Sequence, residues 1–148
     1  LGRVSMGASE FRIDVPRGGI DWDPIRADLE RGVEGRLAIE SRLAERARTY
    51  RRRRPMQAVE PGPPSVVFHD DASSDATVVE VRCRTKIGIL YRITKALVEV
   101  GLDIRHATVQ TVGMEVVDTF YVRDWSGELI TDPRHRVEIE RAVLHAIN

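Results

Sequence analysis

The residues best suited to chemistry lie in one short run, Arg84-Thr-Lys-Ile-Gly-Ile-Leu. Gly88 permits close backbone approach, and the first turn of a helix starting there presents unpaired N–H groups at the positive end of its dipole. Such a turn is a seat for a carboxylate. Other candidates offer less. His69-Asp70 offers a nitrogen and a carboxylate to a metal, but it falls in an expected hairpin without the further helical ligands a metal site needs. His106 falls on an expected strand. His135 and His145 share an expected helix, too far apart along it for a chelate, so both are read as ordinary surface histidines. Cys83 lies between Arg82 and Arg84, yet strand neighbours point to opposite faces and activate no thiolate. Asp118 and Asp124 are carboxylates among strand residues with no nucleophile or base nearby in sequence. No catalytic constellation, phosphate loop or metal-ligand spacing emerges, so no catalytic residue and no metal or cofactor is expected here.

The elements that must position the Gly88 turn follow from periodicity. Thr77 to Val81 is rich in β-branched residues and predicts a strand extended by Arg82, Cys83 and Arg84. From Gly88 the period changes: Ile89, Leu90, Ile93, Ala96, Leu97 and Val100 share one helical face, and Gly101 ends the helix. Two alternating runs follow, Ile104 to Thr111 and Val116 to Val122, and Gly113 between them marks a hairpin. Asp132 and Pro133 predict the cap and first residue of a helix whose apolar side carries Val137, Ile139, Val143, Leu144 and Ile147. The order is βαββα, one strand short of a split βαβ sandwich. Val66 to Phe68, joined to the Thr77 strand by the turn-forming run from Asp70 to Asp75, is expected to supply the missing strand.

At these residues the chain resembles the ACT domain, a small amino-acid-sensing regulatory module. The resemblance is carried by the run from Ala76 to Leu97, by Gly101-Leu-Asp-Ile and by Val117-Asp-Thr-Phe-Tyr-Val-Arg-Asp. More narrowly it is similar to the C-terminal ACT domain of bifunctional PII uridylyltransferase/uridylyl-removing enzymes, on Val-Val-Phe-His-Asp-Asp-Ala-Ser from Val66 and Gly127-Glu-Leu-Ile-Thr-Asp-Pro. The resemblance implies a ferredoxin-like α+β sandwich and a role in nitrogen regulation, with glutamine as the effector. It implies a ligand held between Thr85, Lys86, Ile87, Gly88, Ile89 and Leu90 of one domain and Leu102, Asp103 and Ile104 of a neighbouring ACT domain, of the same or another chain. Asp103 would accept from the ligand ammonium group. The chain departs from the family pattern where Thr85 replaces an acid, Ile87 a proline and Asp103 a common asparagine; the alternative is a structural turn beside a degenerate pocket. Nucleotidyl transfer to PII and its reversal, with Mg and a nucleoside triphosphate, are implied for upstream catalytic domains, with uridylyl or adenylyl as the group carried. An ACT module of another amino-acid-regulated enzyme or regulator and a ligand-free dimerisation or docking module are the rival readings.

Composition sets the bounds. The chain has 148 residues, 42% of them hydrophobic, and formal net charge is zero. No global field calls for nucleic acid or an acidic membrane, and no apolar run spans a bilayer. The single cysteine fits a reducing compartment, so the cytoplasm is expected. Leu1 in place of an initiator methionine suggests a piece of a longer chain, with Met6 the alternative start. Upstream, Gly2 to Met6 and Phe11 to Val15 read as two strands around a turn at Gly7, and Asp23-Pro24 opens a helix carrying Ile25, Leu29 and Val33. This strand, strand, helix order repeats that of residues 103–147, so residues 1–35 are read as a partial first ACT-like unit. Half a sandwich would expose one sheet face, so it is expected to pack on the second domain or a partner chain, or to stay poorly ordered. Residues 36–64 are read as an arginine-rich helix, Leu37 to Tyr50, and a proline-rich linker, and residues 65–148 as the C-terminal ACT domain. The arginines from Arg42 to Arg54 could hold phosphate, but no aromatics interleave them, which favours a solvated helix end.

Overall fold

The computed structural model describes residues 15, 17–51 and 62–148. The expected strand Gly2 to Met6, all of the expected strand Phe11 to Val15 except Val15, and most of the linker from Pro55 to Pro64 lie outside the described residues. The chain divides into two compact units, Leu1–Ile39 and Glu40–Asn148.

In the first unit, helix α1 spans Trp22–Val33. Its cap is Asp21, two residues before the expected Asp23, with its carboxylate accepting from Asp23 N at 3.2 Å. Pro24 is tolerated inside the first turn because that N–H has no helical partner there. The stripe of Trp22, Ile25, Leu29 and Val33 is exposed along its whole length.

The second unit contains α2 (Ile39–Arg51) from Glu40 onward, β1 (Ser65–His69), β2 (Thr77–Arg84), α3 (Ile89–Glu99), β3 (Leu102–Val112), β4 (Glu115–Asp124) and α4 (Pro133–Ile147). The strands form one antiparallel sheet in the order β1-β2-β4-β3. The arm expected from Val66 to Phe68 is β1, and it takes the edge place beside β2, with Val66 opposite Val81 and Phe68 opposite Val79. Ser73 closes the connecting turn, its Oγ accepting from Asp75 N at 3.1 Å and Ala76 N at 3.2 Å.

Strand β2 is flanked by β1 and β4, and Thr77, Val78, Val79, Val81 and Cys83 are all buried. Strand β4 alternates, with Val116, Asp118, Phe120 and Val122 buried on the face that α3 and α4 cover. The helices close this core with Ile93 and Leu97 of α3 and Ile139 and Val143 of α4, each fully buried side chain contributing roughly 1.5–3 kcal/mol. Two expected core residues sit on the helix shoulders instead: Leu90 is 37% and Val137 50% exposed. Helix α4 begins as expected, with Asp132 Oδ1 accepting from Arg134 N at 3.0 Å and Pro133 at the start. Arg136 fastens it to β1, donating to both carboxylate oxygens of Asp70 and lying 5.2 Å from the Phe68 ring centre.

The expected hairpin is present: Gly113 has φ +63° at the first position of a two-residue loop, the place that the II′ turn reserves for glycine. Strand β3 departs from the expected half-buried alternation. It is an edge strand with a register shift between Ile104 and His106, and every residue from Arg105 to Val112 is exposed.

Candidate functional site

The Gly88 turn connects β2 to α3 as the sequence reading expects. Gly88 has φ +81° and is the cap of α3, and as a glycine it offers no side chain to the helix N–H groups. Ile89 N donates to the Lys86 carbonyl at 3.1 Å, and Thr85 N donates to the Met114 carbonyl at 2.8 Å, which holds the turn beside the β3–β4 hairpin. Lys86 is engaged elsewhere: its Nζ donates to Ile147 O at 3.0 Å and Asn148 O at 3.1 Å, a cation at the negative end of α4. Of the turn residues, Ile89 is buried, Lys86 and Leu90 are exposed, and Thr85, Ile87 and Gly88 are half-buried.

Leu102, Asp103 and Ile104 open β3 at the other end of α3. Eleven helical residues span about 16 Å, so one copy keeps the two halves of the expected ligand set apart. Asp103 is already paired, accepting from Arg105 Nη1 at 2.9 Å in an exposed contact. Leu102 is fully buried in the core.

One feature of the turn escaped the sequence. Helix α2 reaches the turn and α3 through the side chains of Leu43 and Glu40. Leu43 meets Gly88 so closely that a Cβ built there would stand 3.2 Å from Leu43 Cδ1. Glu40 Oε1 accepts from Lys95 Nζ at 2.5 Å and from Tyr91 Oη at 3.2 Å. The hydrogen bond and charge of Lys95 hold the Glu40 carboxyl below the usual range, and the Glu40 carboxylate raises Lys95 in turn. A cavity of about 560 Å³ runs along this seam, lined by α2, by Ile87 and Gly88, and by residues of α3 and α4 including Arg92 and His145. The signal was the apolar spacing of Leu43 and Ala47 within the arginine-rich helix, which needs a surface to cover; nothing in the sequence names that surface.

The remaining candidates resolve into structure. Asp70 serves Arg136, and His69 Nε2 stands 3.6 Å from Glu80. Asp124 is a turn former, its Oδ1 accepting from Ser126 N and Glu128 N, each at 2.8 Å. Asp118 is fully buried in the core, six strand residues or roughly 20 Å away, so the two carboxylates form no pair. Burial pushes the Asp118 carboxyl up, against the opposing hydrogen bond from Gln110 N. Burial likewise pushes the Cys83 thiol up, with the Asp118 charge adding to it, so no activated thiolate exists. His106 packs against Tyr121 with ring centres 5.4 Å apart, and His135 Nε2 lies 3.1 Å from the Val100 carbonyl oxygen. Among the described residues no cluster of three or more His, Cys, Asp or Glu side chains could hold a metal. No described helix is long and apolar enough to cross a membrane.

A four-stranded antiparallel sheet with two helices on one face defines a ferredoxin-like α+β sandwich. A sequence model described as the ACR family N-terminal ACT domain matches residues 72–147, and the chain belongs to the ACT-domain family. That description is of an N-terminal copy, whereas the resemblance read from the sequence is to a C-terminal one. Among curated relatives the chain is similar to the bifunctional uridylyltransferase/uridylyl-removing enzyme of Streptomyces coelicolor, 46% identical over 70% of this chain. It is also similar to proteins of that description from Gluconobacter oxydans, 38% identical over 80% of this chain, and Nitrobacter hamburgensis, 35% identical over 80%. The matched region spans only 12% of each of these relatives. No solved structure gives a significant match.

Proposed function

We propose that this chain is the amino-acid-sensing regulatory region of a PII uridylyltransferase/uridylyl-removing enzyme, with glutamine as its effector. The observation that carries the reading is the 46% identity to an enzyme of that description across 103 residues, 70% of this chain. The chemistry of transfer and hydrolysis, with Mg and a nucleoside triphosphate, would belong to upstream catalytic domains. PII would be their protein substrate, and the cytoplasm their compartment. The group transferred would be uridylyl or adenylyl, according to the parent.

The geometry supports a site shared between two ACT copies. The turn lies beside the β3–β4 hairpin, near the Val112 end of β3, whereas Leu102 to Ile104 form the other end of that strand. Two β3 edges pairing antiparallel would lay Leu102 to Ile104 of one copy next to the turn of the other. An effector bridging both edges would favour pairing by its differential affinity for the paired state. In the bound state the uncapped start of α3 would take the carboxylate, and Asp103, released from Arg105, the ammonium group.

A second reading, a pairing module without a ligand, is favoured by the internal engagement of Lys86 and Asp103. Calorimetric titration with glutamine, with other amino acids as controls and the oligomeric state followed in parallel, separates the two. Saturable glutamine binding, lost in Gly88→Val, is the expected result. A folded chain that pairs but binds no amino acid would overturn the sensor reading in favour of the second one. Binding to Gly88→Val with unchanged affinity would overturn the site.

A further inference from the structure

The contact between α2 and the Gly88 turn has a consequence for the site. Leu43 sets an apolar side chain against Gly88, the cap residue of α3, which gives the first turn no side-chain hydrogen bond. Glu40 adds a carboxylate one turn further along, bound to Tyr91 and Lys95. A ligand carboxylate at this helix start would have to lose water against Leu43 and would meet the charge of Glu40. Neither α2 residue is buried: Leu43 is half-exposed and Glu40 exposed. The seam beneath also holds a cavity of about 560 Å³, so α2 is not locked down by close packing.

We infer that α2 is a tethered competitor of the effector, docked on the start of α3 when the site is empty and displaced when an amino-acid carboxylate takes that place. The inference rests on the effector reading given above. Docked α2 lowers apparent affinity by the fraction of molecules whose site is open. If α2 is docked in about nine molecules of ten, releasing it tightens binding about tenfold.

The test uses the full chain and glutamine, comparing wild type with Leu43→Ala and with the double variant Glu40→Gln/Leu43→Ala. Both positions lie at the surface of α2, and circular dichroism checks that each variant folds. Expected are a several-fold fall in Kd for Leu43→Ala, a further fall for the double variant, and faster amide exchange in residues 40–50 of wild type when glutamine is added. Affinity unchanged in both variants would overturn the competition, and so would weaker binding, which would make α2 part of the ligand site. Exchange in residues 40–50 slowed by glutamine would overturn it as well. Glutamine bound by neither wild type nor variants would instead refute the effector reading on which the inference depends, whereas binding only by the variants would support both.

Discussion

Replacing Asp118 by valine should stabilise the protein at neutral pH, which is an unusual expectation for a fully buried residue. Asp118 faces the helix-covered side of β4 beside Phe120, with Val81 opposite on β2 and Val109 on β3. Its Oδ1 accepts from Gln110 N at 3.2 Å, while its Oδ2 has no partner among the described residues. An unsatisfied buried acceptor costs about 1–3 kcal/mol, and each unit by which burial lifts the carboxyl pKa costs about 1.4 kcal/mol at a pH where the unfolded chain is ionised. The folded pKa lies above the unfolded one, near 3.9. Well below pH 4 both states hold the proton and the ionisation part of the penalty is absent, leaving only the cost of the unpartnered oxygen. As pH rises from there through the folded pKa, the unfolded state releases its proton first, and stability is lost. Asp70 and Glu40 have lowered pKa values and work in the opposite sense, losing stability as pH falls, but they are common to both proteins and cancel in the difference. Gln110 lies on the exposed β3 edge, and the gain requires that water reach the part-buried N–H that loses its acceptor. Urea denaturation followed by circular dichroism should give Asp118→Val a gain of about 1–3 kcal/mol at pH 7, shrinking towards pH 4. A valine variant less stable than wild type at pH 7, or a gain that does not change between pH 4 and 7, would refute the reasoning.

Thr77→Val removes the hydroxyl that accepts from the buried Ile130 N at 2.8 Å. It should cost about 1–3 kcal/mol in urea denaturation despite its matched shape, with Thr77→Ser close to wild type; a neutral valine variant would mean that the loop before α4 finds another acceptor. Cys83, buried and with its thiol pushed up, should react with iodoacetamide at pH 8 only as fast as the domain opens, and urea should accelerate the reaction. Rapid modification of the native protein at the rate of a free thiol would contradict that burial.

Local signals made most of the sandwich legible. The β1 arm was readable because Val66 to Phe68 and the turn behind it lie within a dozen residues of the strand they join, and turn chemistry acts at that range. The cap at Asp132 and the turn at Gly113 are likewise local. Leu90 and Val137 were misplaced because an apolar residue beside a helical stripe fits the period almost as well as one within it. Strand β3 shows the limit differently: its alternation is real, but burial depends on the strand's neighbours, and a pattern does not say that a strand will stand at the edge. The period did place Asp118 on the face of Phe120 and Val122; what it could not supply was the absence of a partner for Oδ2, because that depends on side chains distant in sequence.

The candidate site was the least legible part, for a geometric reason. Residues 85–90 and 102–104 are near in sequence, yet the helix between them holds them at opposite ends of the domain, so sequence proximity here signals separation. Residues 40 and 43 are far in sequence, yet Leu43 meets the turn at Gly88 and Glu40 meets α3 at Tyr91 and Lys95. A ligand joining the two halves must therefore come from pairing, and one that reaches the start of α3 must contend with α2. Both requirements draw on exposed elements, the β3 edge and a half-exposed helix, while the core residues Ile93, Leu97, Phe120 and Ile139 need not move.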